Sequence, residues 1–210
     1  MIMELEYFGG NCLKISTKKA TLIVDDNLEK LGLKSITKEG AIALFTSEHE
    51  RPKANVKLTI DTPGEYEASN VSVRGIATRS YADDPRKRSA VVYKITAEDI
   101  RILVTGHIYP ELSDEQAEAI GQVDIIVVPV GGMDFTLSGQ EALKIVKKIE
   151  PNIIIPTYFA DKQVKYPSAI QNLDEATKDL AMEIRQTLPK LKIKPADLTD
   201  TAQLIVLEIQ

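Results

Sequence analysis

The period of the apolar pattern changes halfway along the chain, and this change limits the fold more than any other feature. Up to residue 104 the apolar runs are short and strand-like, at 11–16, 21–24, 41–45, 56–60, 71–78, 89–95 and 100–104. The turn-like Thr17-Lys18-Lys19 joins the first two into a hairpin. Thr62-Pro63-Gly64-Glu65-Tyr66 and Glu67-Ala68-Ser69-Asn70 carry turn residues and read as breaks between strands. From Ser113 onward helix and strand alternate. Ser113-Asp114-Glu115-Gln116 and Ser138-Gly139-Gln140-Glu141 are capping boxes, in which a serine hydroxyl and a Gln or Glu side chain satisfy each other's free N–H groups at a helix start. The first helix ends near Gly121. The second carries Ala142, Ile145, Val146 and Ile149 on one stripe and ends at Pro151. Strands are predicted at 124–128, 152–155 and 202–209. Leu173, Ala176, Leu180, Ile184 and Leu188 predict a third helix over 172–188, stopped by Pro189. No internal repeat or low-complexity linker interrupts the series, so residues 1–210 are read as one domain. Strands first, then alternation, is the order of layered sheets with helices outside.

Composition narrows the function classes. An apolar share of 43% with 27% charged residues excludes a disordered chain. No apolar run approaches the roughly 20 residues that span a bilayer, and the acidic start Met1-Ile2-Met3-Glu4-Leu5-Glu6 lacks a signal peptide's basic region, so a cytoplasmic protein without membrane attachment is expected. The one cysteine, Cys12, forbids an internal disulfide or a cysteine metal cage and reads as a core residue. The net charge of −5 argues against nucleic acid as a partner, since that normally needs a concentrated basic footprint. The dense basic run Arg86-Lys87-Arg88 reads as a solvated loop.

Four segments carry a family resemblance. Tyr7-Phe8-Gly9-Gly10-Asn11-Cys12-Leu13 is similar to an opening with an aromatic-Gly-His-Ala-Cys pattern. Ile23-Val24-Asp25-Asp26 resembles a strand ending in Asp-Pro. Thr62-Pro63-Gly64-Glu65-Tyr66 through Val73-Arg74-Gly75-Ile76 is close to a Pro-Gly-Glu-Tyr hairpin and its following strand. The run from Val123 through Val128-Pro129-Val130-Gly131-Gly132, with Ile155-Pro156 beyond it, is similar to the C-terminal half. Together they resemble the metallo-β-lactamase superfamily, in its branch of small metal-dependent hydrolases. The resemblance implies an α/β fold, the four-layer αββα sandwich, with the site on loops at one edge of the two sheets.

That family's chemistry uses clustered imidazoles and carboxylates around zinc, which lowers the pKa of bound water. The resemblance places its ligand positions on Ser47, His49, Arg51 and Pro52 in the loop after strand 41–45, on Ser80, on His107 and on Tyr158. His49 alone of these seven keeps the family's residue, and His107 stands where an aspartate is expected. Arg51 sets a fixed cation where a carboxylate belongs, and at about 4 Å each pair of unit charges is worth about 4 kcal/mol at an effective dielectric of 20.

The expectation is therefore a metal-free, non-hydrolytic binding or scaffold protein, with no cofactor and no catalytic residue. Its partner is unknown, with a small anion or another protein as the candidates. An anion pocket would draw on Arg51 and Arg79, whose guanidinium groups grip phosphate or carboxylate, together with His107 and Tyr158. Ser47, His49 and Ser80 complete the vestigial pocket. The alternative is a hydrolase with a mononuclear zinc or manganese site on His49 and His107. A serine nucleophile, Ser47 or Ser80 with either histidine, is a third and weaker reading.

Overall fold

The computed structural model describes residues 2–48, 50, 52–133 and 135–210. Two sheets stack face to face. The first contains β1 (Met3–Tyr7), β2 (Leu13–Ser16), β3 (Thr21–Val24), β4 (Ile42–Leu44), β5 (Leu58–Ile60) and, late in the chain, β13 (Leu191–Ile193), in the order β13-β1-β2-β3-β4-β5. The second contains β6 (Gly64–Ala68), β7 (Val71–Thr78), β8 (Ala90–Ala97), β9 (Ile100–Val104), β10 (Ile125–Pro129), β11 (Ile153–Thr157), β12 (Ile184–Leu188) and β14 (Gln203–Leu207). Its order is β12-β14-β11-β10-β9-β8-β7-β6. Strands β6 to β9 pair antiparallel, with two-residue turns joining β6 to β7 and β8 to β9 and the longer loop 79–89 joining β7 to β8, whereas β9, β10, β11, β14 and β12 run parallel.

The parallel half needs helical crossovers. They are α1 (Asp114–Ile120) and α2 (Gly139–Ile149), with α3 (Leu173–Asp179) packed on α2. Both expected capping boxes form, on Ser113 with Gln116 and on Ser138 with Glu141. Alternation decides which strand faces meet. Met3, Leu5 and Tyr7 of β1 and Leu13 and Ile15 of β2 are fully buried, while Glu4, Glu6 and Lys14 turn outward. Those apolar faces meet Tyr93, Ile95, Ile102 and Ile125 of the second sheet in the core between the sheets, while Val92, Ile126 and Ile154 of the same buried cluster lie on that sheet's opposite, helix-covered face. The Tyr93 hydroxyl in that core donates to the Ile60 carbonyl at 3.3 Å.

Three readings of the sequence are corrected. The helix predicted over 172–188 is only α3, and Ile184–Leu188 is strand β12. Ala181 adopts a left-handed φ of 52°, which stops the helix, and β12 pairs parallel to β14. The apolar spacing of Ile184 and Leu188 matched a helical period by coincidence. Gly64–Ala68 is a strand rather than a turn. The reversal is made by Ser69 and Asn70 alone, at φ 54° and 63°, the geometry of a two-residue hairpin loop. Strands β1 and β13 went unread, although Met3, Leu5 and Tyr7 alternate plainly with Glu4 and Glu6. Among the described residues no helix is long and apolar enough to cross a membrane.

Candidate functional site

Strands β3, β4, β9 and β11 end at the same edge of the sandwich, and ligands of open α/β sheets characteristically bind outside the carboxyl ends of parallel strands. Four close approaches fix the loops that leave them. Asp25, directly after β3, is buried at φ 48° and accepts from the Thr46 backbone N–H at 2.7 Å and the Thr46 hydroxyl at 2.6 Å. Gly106, directly after β9, lies against Thr46 so closely that a Cβ there would sit 2.1 Å from Thr46 Oγ1. Asn11, in the β1–β2 turn, places its Nδ2 3.1 Å from His107 Nε2 and accepts from the Thr157 hydroxyl at 3.0 Å. Tyr158, after β11, donates its backbone N–H to the Gly10 carbonyl at 2.9 Å and to the Tyr7 hydroxyl at 3.1 Å.

These contacts enclose a cavity of about 400 Å³. Asn11, Asp25, Ser47, Glu48, His107 and Tyr158 line it, together with Lys165 and with Lys30, which lies 3.9 Å from Glu50. Lys30 belongs to the short 3-10 helix Leu28–Leu31, and the Lys165 backbone N–H donates to the Leu31 carbonyl at 3.0 Å, so the two lysines arrive together.

The electrostatics of the cavity follow from burial. The His107 ring meets Tyr158 edge-on at 4.7 Å and lies 6.0 Å from Phe135. The residue keeps some accessible surface on the cavity side, but desolvation of the enclosed ring lowers its pKa from 6.5 to about 4. Because the Thr157 hydroxyl donates to Asn11 Oδ1, the Asn11 amide turns its N–H toward His107 Nε2. The imidazole proton is thereby assigned to Nδ1, an atom that is buried and has no hydrogen-bond partner among the described residues. Burial also raises Asp25 to about 6, and the two Thr46 bonds limit that rise. Removing one of those donors tests the balance. Thr46→Val should cost about 2 kcal/mol in urea unfolding at pH 7, because a buried carboxylate oxygen loses its partner.

The structure gathers three of the seven residues singled out from the sequence, Ser47, His107 and Tyr158. His49 and Arg51 lie outside the described residues. Arg79 is not brought to the cavity. Its guanidinium stacks 3.7 Å over the Tyr109 ring, and its Nε donates to the Asp83 carbonyl at 2.9 Å. Ser80 is also elsewhere, since its backbone N–H bonds Asp83 at 2.9 Å and its hydroxyl reaches only the His107 carbonyl, at 3.5 Å. No serine among the described residues is bonded to the His107 ring, whose Nε2 faces Asn11. Asn11, Asp25, Lys30 and Lys165 were not anticipated. Asn11 and Asp25 had a local signal, as polar residues flanking apolar runs beside glycines or a second aspartate. Lys30 and Lys165 had none. Among the described residues no three His, Cys, Asp or Glu side chains gather to hold a metal ion. Of the described donors at the cavity, Asp25 accepts from Thr46 through both oxygens and His107 Nε2 faces the Asn11 amide.

The stacked sheets, the crossover helices on the parallel half and the loop-edge cavity define a metallo-β-lactamase-type sandwich. The family model described as "Beta-lactamase superfamily domain" matches residues 4–158, and the chain belongs to that superfamily. It is 26% identical over 183 aligned residues to UPF0173 protein PYRAB01190 of Pyrococcus abyssi, covering 75% of this chain and 83% of that one. Among solved structures it is similar to a proposed Zn-dependent hydrolase of the metallo-β-lactamase superfamily from Thermotoga maritima. That match has a TM-score of 0.76 and 19% identity over 98% of this chain and 99% of the other. It is also similar to Igni18, a metallo hydrolase from Ignicoccus hospitalis, with a TM-score of 0.64 and 15% identity over 99% and 96% of the two chains. At these identities the structural matches speak for the fold.

Proposed function

We propose that this chain is a metal-free, non-hydrolytic member of its superfamily that binds a small anion, a carboxylate or phosphate group, in the loop-edge cavity. The observation that carries this reading is the engagement of the two best ligand side chains by protein partners, Asp25 by Thr46 and His107 by Asn11, while Lys30 and Lys165 stand at the cavity wall. The second N–H of the Asn11 amide and the Tyr158 hydroxyl would then orient the anion, and the lysines would supply charge. Of the two cations the sequence suggested, Arg79 is held on Tyr109 and Arg51 lies outside the described residues. The hydrolase alternative would need His107 Nε2 released from Asn11 and a second ligand from His49.

Two measurements test the proposal. Inorganic phosphate at about ten times its dissociation constant should stabilise the protein by about 1.4 kcal/mol, a rise of a few degrees in melting temperature, and Lys30→Ala with Lys165→Ala should abolish the rise. An unchanged rise in that variant would sink the anion pocket. After zinc loading and desalting, elemental analysis should find less than about a tenth of an equivalent. Close to one equivalent, lost in His107→Ala, would establish the hydrolase alternative instead.

A further inference from the structure

The two sheets are covered unequally. The crossovers of the parallel half put α1, α2 and α3 on the outer face of the eight-stranded sheet. On the outer face of the six-stranded sheet lies the 3-10 helix Leu28–Leu31 and the loop that follows it. A second, small core forms there from Cys12, Ile23, Leu28 and Ala41, and the residues packed against it, Phe8, Leu33 and Ile36, remain half-buried. This core is unfinished on one side.

On that open side runs a groove of about 890 Å³, larger than the loop-edge cavity and separate from it, with Phe8, Ile23 and Ile36 among its lining. Among the described residues its charged lining is five lysines, Lys14, Lys18, Lys19, Lys38 and Lys57, against one acidic residue, Glu39. Such a concentration is set against the chain's overall charge of −5. Lys14 pairs with Glu6 at 2.7 Å, and Lys57 donates to the Ser69 hydroxyl at 2.6 Å. Lys18, Lys19 and Lys38 are exposed and enter no ion pair among the described residues. Three free ammonium groups therefore stand around an apolar floor.

We propose that this groove docks an acidic amphipathic segment of another protein, its apolar side on Phe8 and Ile36 and its carboxylates on Lys18, Lys19 and Lys38. Such a segment would complete the layer that the helices supply on the other sheet, and a helix laid in an apolar groove is a common recognition mode. Nucleic acid fits less well. The cations are all lysines, with no guanidinium fork for phosphate, and the single aromatic, Phe8, packs on the small core rather than offering a stacking platform. A flat anionic lipid surface would not enter a concave groove. The docking is independent of the anion cavity, since the two linings share no residue.

The test uses the intact protein and a fluorescent peptide of about 15 residues, leucine at every third or fourth position and glutamate elsewhere, so that one helical face is apolar. Fluorescence anisotropy should show saturable binding, weakened at least about tenfold by Lys18→Glu, Lys19→Glu and Lys38→Glu together. Ile36→Ser should weaken it as well, and an oligoglutamate of equal length should bind less tightly. Carbodiimide, which joins ammonium to carboxylate at zero length, should link the bound peptide to Lys18, Lys19 or Lys38, as mapped by mass spectrometry. The three lysines are exposed, so the triple variant should keep the wild-type circular dichroism and the wild-type phosphate shift. Failure of the wild type to bind the peptide, equal binding by the triple variant, or cross-links spread over the remaining lysines would each overturn the proposal. A single-stranded oligonucleotide or phosphatidylserine vesicles binding more tightly through the same lysines would do so too, as would a dimer in sedimentation whose cross-links join this groove to a second copy.

Discussion

Replacing Gly106 by alanine is expected to cost at least about 3 kcal/mol and to loosen the whole loop edge. Two effects add at this position. Its φ of 63° lies in the left-handed region, where a side chain costs roughly 1 kcal/mol or more. The added Cβ would then stand 2.1 Å from Thr46 Oγ1 and 2.5 Å from Thr46 Cβ. Thr46 has no freedom to retreat, because both its hydroxyl and its backbone N–H are bonded to buried Asp25. The loops after β4 and β9 must therefore separate, which removes Asp25's partners and shifts His107. Overpacking of this kind typically costs about 1–3 kcal/mol by itself. Gly40→Ala is the matched control, since Gly40 has φ 76° but nothing within 4 Å of its would-be Cβ. Urea unfolding of both variants separates conformational cost from overlap. Equal losses at the two positions would mean that the Gly106–Thr46 approach does not hold the loops together.

The same contact shows why the site was only partly legible in the sequence. Local signals were strong wherever a residue's job is local. Both serine capping boxes form as read, and β7 and β9 keep their expected bounds, because hydroxyl-to-backbone bonds and strand alternation involve near neighbours. The chain after α3 was misread because its structure is set from a distance. Ile184–Leu188 is mostly exposed and becomes a strand through pairing with β14. Side-chain destinations are more distant still. Arg79 was expected in the pocket, but the Tyr109 ring and the Asp83 carbonyl capture it. Ser47, His107 and Tyr158 line one cavity, and it is the family resemblance, not a local pattern, that puts them on neighbouring loops. Lys165 reaches the cavity through a backbone bond to Leu31, 134 residues earlier, which no local pattern announces.

His107 and Asp25 should make stability depend on pH in opposite directions, and single variants should reveal each. The folded-state pKa of His107 is lowered to about 4 from 6.5, so on acidification the unfolded chain takes up the proton first. This group contributes nothing to the pH slope above about pH 6.5 and removes stability as pH falls toward 4, at about 1.4 kcal/mol per unit. Asp25 runs the other way. Its folded-state pKa is raised to about 6 from 3.8, so the folded form is the first to be protonated, and acidification through that window restores stability. Wild type should change little from these two groups between pH 6 and 4. His107→Gln keeps an acceptor for the Asn11 amide but cannot titrate. Relative to wild type, it should therefore gain about 2–3 kcal/mol between pH 7 and 4.5. Asp25→Asn should tilt the opposite way, losing ground as the pH falls. Denaturation curves at both pH values decide the matter, since all other titrating groups cancel in the differences. Parallel profiles for wild type and His107→Gln would show that the imidazole is well solvated, and the enclosed cavity on which the anion reading rests would have to be redrawn.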